Sequence, residues 1–115
     1  MIRIYHNPRC SKSREGCDIL SKIDGEYEVI NYMKEPLSVS EINELILKLG
    51  IKPIELVRTN EKIWKENYKD KNLSDNQIVE AMHLCPSLIQ RPIVVKDNRA
   101  VIGRPPVLIK KLLDN

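Results

Sequence analysis

Cys10 stands in the run His6-Asn7-Pro8-Arg9-Cys10-Ser11-Lys12-Ser13-Arg14, where a proline turn gives way to a helix start. A free thiol titrates near ~8.5 and is only a few per cent thiolate at neutral pH, whereas a helix N-terminus and nearby cations lower that value by roughly one to several units. Each unit corresponds to about 1.4 kcal/mol in favour of the anion. His6, Arg9, Lys12 and Arg14 are close enough in sequence to supply positive charge, and the amides of Ser11 to Ser13 form a cradle for an anion. The chemistry this predicts is nucleophilic attack by a Cys10 thiolate. Inert packing is the ordinary fate of a free cysteine, but a thiol placed between a turn and a helix start is positioned to react.

Ser13 sits where a dithiol oxidoreductase has its second cysteine. A Cys-x-x-Ser site cannot close an internal disulfide at that spacing, so an external thiol such as glutathione must resolve any covalent intermediate, unless Cys17 or Cys85 approaches by a conformational change. Cys17 lies two helical turns from Cys10, about 10 Å of rise, too far to bridge without distortion. Cys17 and Cys85 are read as packed thiols. Cys10, His6, His83 and Cys85 show no paired zinc-type spacing, so no metal site and no bound cofactor are expected.

The elements that must position Cys10 follow from the pattern around it. Arg3-Ile4-Tyr5 reads as a strand ended by the Asn7-Pro8 turn, and about Ser11 to Lys22 as a helix with Ile19, Leu20 and Ile23 apolar and Gly25 placed to end it. Tyr27 to Ile30 reads as a second strand, and a strand-helix-strand start means parallel strands. Ser38-Val39-Ser40-Glu41 has capping-box spacing ahead of Ile42, Leu45, Ile46 and Leu49, with Gly50 as the stop. A shorter helix is expected around Glu61 to Tyr68. Ser74 to Gln77 is a second capping box, leading into a helix that ends at Cys85-Pro86. Ile93-Val94-Val95, a turn at Asp97-Asn98 and Ala100-Val101-Ile102 form a hairpin. Pro105 and Pro106 fall in the first turn of a last helix bearing Val107, Leu108, Leu112 and Leu113. Taken together this is an α/β chain, a thioredoxin/glutaredoxin-like mixed sheet flanked by helices, with a helical insertion at about 35–88 in one domain spanning 1–115.

The 115 residues are enough for one hydrophobic core, and with no Phe and only five Trp and Tyr residues that core is aliphatic. Few ring faces are available for stacked bases, and a net charge of +3 spread along the chain suits a small anion better than a duplex with its many phosphate contacts. No nucleic-acid partner is expected. Nor is a membrane partner: no apolar run approaches the roughly 20 residues of a spanning helix. The start lacks a signal-peptide pattern and the three cysteines are an odd count, so a cytoplasmic protein with reduced thiols is expected.

Four segments, Tyr5-His6-Asn7-Pro8-x-Cys10-x-x-Ser13-Arg14, Leu56-Val57-Arg58, Ile89-Gln90-Arg91-Pro92-Ile93-Val94 and Gly103-Arg104-Pro105, resemble the signature segments of the ArsC family of glutaredoxin-coupled arsenate reductases, in order and from Ile4 to about Leu113. The resemblance implies a thioredoxin-like fold with a helical insertion, and a Cys10 that attacks arsenate to give a covalent adduct, which glutathione and glutaredoxin then reduce to arsenite. It makes Arg58, Arg91 and Arg104 the oxyanion-binding arginines, His6 the histidine that favours the thiolate, and Ser13 a serine near the sulfur. Guanidinium forks suit tetrahedral oxyanions through paired charge-assisted bonds. Pro92 occupies the place of the cis-proline that such folds set beside the cysteine, and an X-Pro bond adopts cis at a cost of only about 0.5–1 kcal/mol. Two alternatives share the fold: a glutathione-dependent thiol reductase of another substrate, and a Spx-like regulator that binds RNA polymerase. Spx-type proteins carry a Cys-x-x-Cys switch, against which Ser13 and the His6-Asn7-Pro8 lead-in both argue.

Overall fold

β-branched and aliphatic residues at Ile2–His6 form β1, and Tyr27–Asn31 forms β2 parallel to it, with Ile4 beside Val29 and His6 beside Asn31. The computed structural model of the protein describes residues 1–114. Between the two strands lies α1, Ser11–Ser21. β3, Ile93–Lys96, and β4, Arg99–Ile102, complete a four-stranded mixed sheet of order β2-β1-β3-β4, in which β3 runs antiparallel to both β1 and β4. Ile4 and Tyr5 on β1 and Ile93, Val94 and Val95 on β3 are buried in succession, as expected for central strands shielded on both faces. The β3–β4 turn is Asp97-Asn98, with Asp97 at φ +57°.

One side of this sheet carries an aliphatic core cluster. Ile4 and Val94 pair across β1 and β3, and Leu20 of α1 packs on them with Ile109 and Leu112 of α5, Val107–Leu113. Gly16 of α1 is buried because nothing larger fits: a Cβ there would lie 2.9 Å from Pro92 Cγ and 3.2 Å from Ile4 and Ile109. Gly103, after β4, is crowded in the same way, with a Cβ falling 2.7 Å from Ile109 and 3.0 Å from Pro92. Pro92 is thus wedged between two glycines, one on α1 and one just after β4.

Met1–Glu35 and the segment from Arg91 onward make up one compact unit; Pro36–Gln90 make up another. The second unit contains α2, Val39–Leu49, α3, Lys62–Asn67, and α4, Asp75–Leu84, with short 3-10 turns at Pro53–Leu56 and Pro86–Leu88. Both capping boxes are formed in full, Ser38 with Glu41 and Ser74 with Gln77, and α2 closes on Gly50 at φ +67°. α2 packs against α4, burying Ile42, Leu45, Val79 and Met82. His83 ties the two ends of this unit, its Nδ1 lying 2.7 Å from the Leu37 carbonyl.

Two boundaries differ from the sequence reading. α1 ends at Ser21, one residue short of the expected Lys22, and its stop is not Gly25 but the Lys22 N–H, which turns back to the Ile19 carbonyl in a tight 3-10 closure; Gly25, at φ +116°, shapes the following loop instead. α5 starts after both prolines, at Val107, yet they do supply its first acceptors: Leu108 and Ile109 donate to the carbonyls of Pro105 and Pro106 at 3.1 and 3.0 Å. No helix among the described residues is long and apolar enough to cross a membrane.

Candidate active site

The turn that presents Cys10 is organised by Asn7. Its carbonyl accepts the Cys10 N–H at 3.0 Å, and its side-chain Oδ1 accepts the Arg9 N–H at 3.0 Å, a side-chain mimic of a backbone turn. Cys10 is then the N-cap of α1, with extended φ −100° and ψ 123°, and its carbonyl receives the first helical bond from Arg14 at 3.0 Å. A capping side chain faces the orphan N–H groups of the first turn. Cys10 makes no conventional oxygen-type cap bond, but the larger sulfur sits close enough to the N–H groups of Ser13 and Lys12 to gain from both.

Two arginines complete the surroundings of the sulfur. Arg91, itself buried, donates from its side chain to Cys10. Arg104 donates from Nη2 to the sulfur at 3.3 Å and from Nε to the Arg91 carbonyl at 2.8 Å, so the second arginine is braced on the first. Arg91 precedes β3 and Arg104 follows β4, and a hydrogen bond from the Gly103 N–H to the Pro92 carbonyl at 2.8 Å links their neighbours. The Arg91–Pro92 and Arg104–Pro105 peptides are both cis. Burial is the largest influence on the thiol and opposes ionisation; the Ser13 amide, the Arg91 side chain and the Lys12 amide outweigh it together, and the pKa falls to about 7. Roughly half of Cys10 is thiolate at neutral pH.

The cations expected from local sequence play little part. Arg14 donates to the Pro8 carbonyl at 2.8 Å, Lys12 lies 3.6 Å from Glu15, and Arg9 points into an exposed cleft. The charged form of His6 is disfavoured: burial, reinforced by the Arg14 charge, lowers its pKa below the ordinary histidine value against the opposing Ser13 hydrogen bond. Its Nδ1 lies 2.7 Å from Ser13 Oγ, which also accepts the Asn7 N–H at 2.9 Å. Both contacts engage the Ser13 hydroxyl, which carries one donor and two acceptor sites. Ser13, fully buried, therefore reaches the sulfur through its amide, while its hydroxyl clamps the end of β1 to α1.

Cys10, His6, Ser13, Arg91 and Arg104 are brought together within one unit. Arg58 belongs to the Pro36–Gln90 unit. There Val57 bridges Ile89, the Arg58 N–H donates to the Leu88 carbonyl at 2.7 Å, and the Gln90 N–H to the Leu56 carbonyl at 2.8 Å. The Arg58 Nε approaches Glu61 at 3.3 Å without hydrogen-bond geometry, and its Nη1 is buried with no hydrogen-bond partner among the described residues. Cys17 packs beside the Ile4–Leu20 core, where burial pushes its thiol up. Cys85 caps α4 next to Tyr68. All three cysteines are free.

The sequence pattern of the ArsC family matches residues 5–112. The chain belongs to the ArsC family. It is 40% identical to the uncharacterized protein YfgD of Escherichia coli (strain K12) over 114 residues, covering 97% of this chain and 96% of the relative. It is 36% identical to an arsenate reductase of Neisseria meningitidis, over 90% of this chain and 91% of that one. The solved structure of an arsenate reductase from Vibrio cholerae matches with a TM-score of 0.90 at 40% identity, over 96% and 95% of the two chains. Relatives bearing that name make this an oxidoreductase family, and the mixed sheet with its helices is the thioredoxin-like fold of ArsC proteins.

In the sequence Asn7 reads as part of a turn and Gly103 as part of a signature segment, neither with a role at this ArsC site, and Gly16 is passed over. Asn7 organises the turn, and Gly16 and Gly103 hold Pro92. The Asn-x-Arg spacing of an Asx-turn was legible in principle. The glycines carry no local signal, since what excludes a Cβ comes from distant segments.

Proposed function

We propose that this ArsC-family protein reduces arsenate through Cys10, with glutathione as co-substrate and glutaredoxin as a partner. The observation that carries this reading is the meeting of Arg91 and Arg104 on one sulfur at a helix N-cap. Such a group is a poised nucleophile inside a cationic receptor for a tetrahedral oxyanion. The Cys10 thiolate attacks arsenic; one arsenic–oxygen bond breaks, and that oxygen takes up protons and leaves as water. Arg91 and Arg104 hold the remaining oxygens as their charge redistributes. Arg58 is a further candidate for the oxyanion on the likeness of Leu56-Val57-Arg58 to the family's signature segment. Reduction of arsenic(V) to arsenic(III) takes two electrons, supplied by two external thiols that leave as a disulfide, and water then cleaves the Cys10–arsenic bond to release arsenite and the Cys10 thiol.

The roles of His6 and Ser13 are positional. Their hydrogen bond holds the β1–α1 junction so that the Ser13 amide faces Cys10. The test is arsenate-dependent NADPH oxidation coupled through glutathione reductase, glutathione and glutaredoxin, comparing the protein with Cys10→Ser. Equal rates for the two proteins would refute the reading.

A further inference from the structure

β1 and β2 are parallel and end together at His6 and Asn31, and the carboxyl ends of parallel strands are where α/β sheets receive ligands. Beyond those ends, Asn7, Pro8, Arg9, Asn31, Met33 and Lys34 line a cleft of about 320 Å³, at the lower end of the ~300–1,000 Å³ of small-molecule sites. Its polar groups are sorted by sign. Asn7 Oδ1 is taken by the Arg9 N–H at 3.0 Å, and Asn31 Oδ1 by the Met33 N–H at 3.1 Å. What each asparagine has left to offer is chiefly its NH2 donor. No carboxylate lines the cleft, and among the described residues neither Arg9 nor Lys34 forms an ion pair. Two cations and two amide donors make a wall that selects anions. The same Asn7–Cys10 turn that builds this wall carries the reacting sulfur.

We propose that this cleft docks the carboxylates of the small thiol that regenerates Cys10, so that the co-substrate is recognised by its negative charge on Arg9 and Lys34 while its sulfur reaches the Cys10 side of the turn. The inference rests on Cys10 being the attacking thiolate, and on Ser13 leaving no resolving thiol at the helix start. Arg9 is suited to this because its backbone, not its side chain, is engaged in the turn.

The test uses a disulfide as the probe. The Cys10 thiolate attacks one sulfur of glutathione disulfide, the S–S bond breaks, one glutathione thiolate leaves, and Cys10 is held as the mixed disulfide. The rate is compared with that of bis(2-hydroxyethyl) disulfide, which undergoes the same exchange without charge. In Arg9→Gln/Lys34→Gln the ratio of charged to neutral rates is expected to fall by roughly fivefold or more, each exposed cation contributing roughly twofold to fivefold. High salt should produce the same loss in the unmodified protein. An unchanged ratio, with the neutral disulfide still reacting at Cys10, overturns the subsite alone. A Cys10 inert to both disulfides overturns the nucleophile reading beneath it.

Discussion

Arg104 places Nη2 3.3 Å from the Cys10 sulfur although 94 positions separate the two in sequence. The same guanidinium is fixed by its Nε on the Arg91 carbonyl, so its direction is set by backbone and not by solvent. A pre-aimed donor of this kind stabilises charge without reorganising at the moment of reaction.

Arg104→Ala should therefore raise the Cys10 pKa and lower arsenate-dependent kcat/KM by roughly 100-fold, the order found when one preorganised donor is removed from a charged transition state. Iodoacetamide alkylation against pH and the coupled NADPH assay read the two effects separately. An unchanged alkylation midpoint would show that Arg104 does not act on the thiolate.

Alkylation of Cys10 should rise with pH around a midpoint of about 7, well below a free thiol near ~8.5. The folded value is the depressed one, so the thiolate stabilises the fold fully above the unfolded pKa and loses that contribution as pH falls through about 7. Urea midpoints of the protein relative to Cys10→Ser should accordingly improve between pH ~6 and pH ~9. A flat difference would contradict the linkage.

Gly16→Ala sets two effects against each other. Alanine gains about 1 kcal/mol of helix propensity, but its Cβ would meet Pro92 at 2.9 Å and two isoleucines at 3.2 Å, and overpacking of this kind costs about 1–3 kcal/mol. The clash involves a proline ring that cannot swing aside, so net destabilisation is expected in urea unfolding. The displacement of Pro92 should also slow Cys10 alkylation at pH ~7, because Arg91 is its chain neighbour.

Ser74→Ala removes the side chain that caps α4 and leaves the Gln77 N–H without its acceptor. A loss of about 1 kcal/mol is expected from denaturant unfolding. Cys10 lies in the other unit, so its alkylation midpoint should not move.

Much of the architecture was legible because its signals are local. Ser38 with Glu41 and Ser74 with Gln77 specify helix starts within four residues, and the Ile93–Ile102 hairpin announces itself by two apolar runs around Asp97-Asn98. The limits of α1 and α5 were less legible, since a 3-10 closure at Lys22 and prolines preceding Val107 depend on how each end is packed.

By itself the sequence picked out the candidate nucleophile. Cys10 at a strand-to-helix junction, with Ser13 in place of a second cysteine, specifies a monothiol whatever surrounds it, because helix amides and covalent spacing are local properties. What only the tertiary structure decided is the origin of the charge. Of the near neighbours, burial disfavours the charged form of His6, and Arg9, Lys12 and Arg14 are turned elsewhere, while Arg91 and Arg104 come to the sulfur from the two sides of the β3–β4 hairpin. Coulombic influence follows distance in space, and sheet pairing with the packing of Gly16, Pro92 and Gly103 sets that distance.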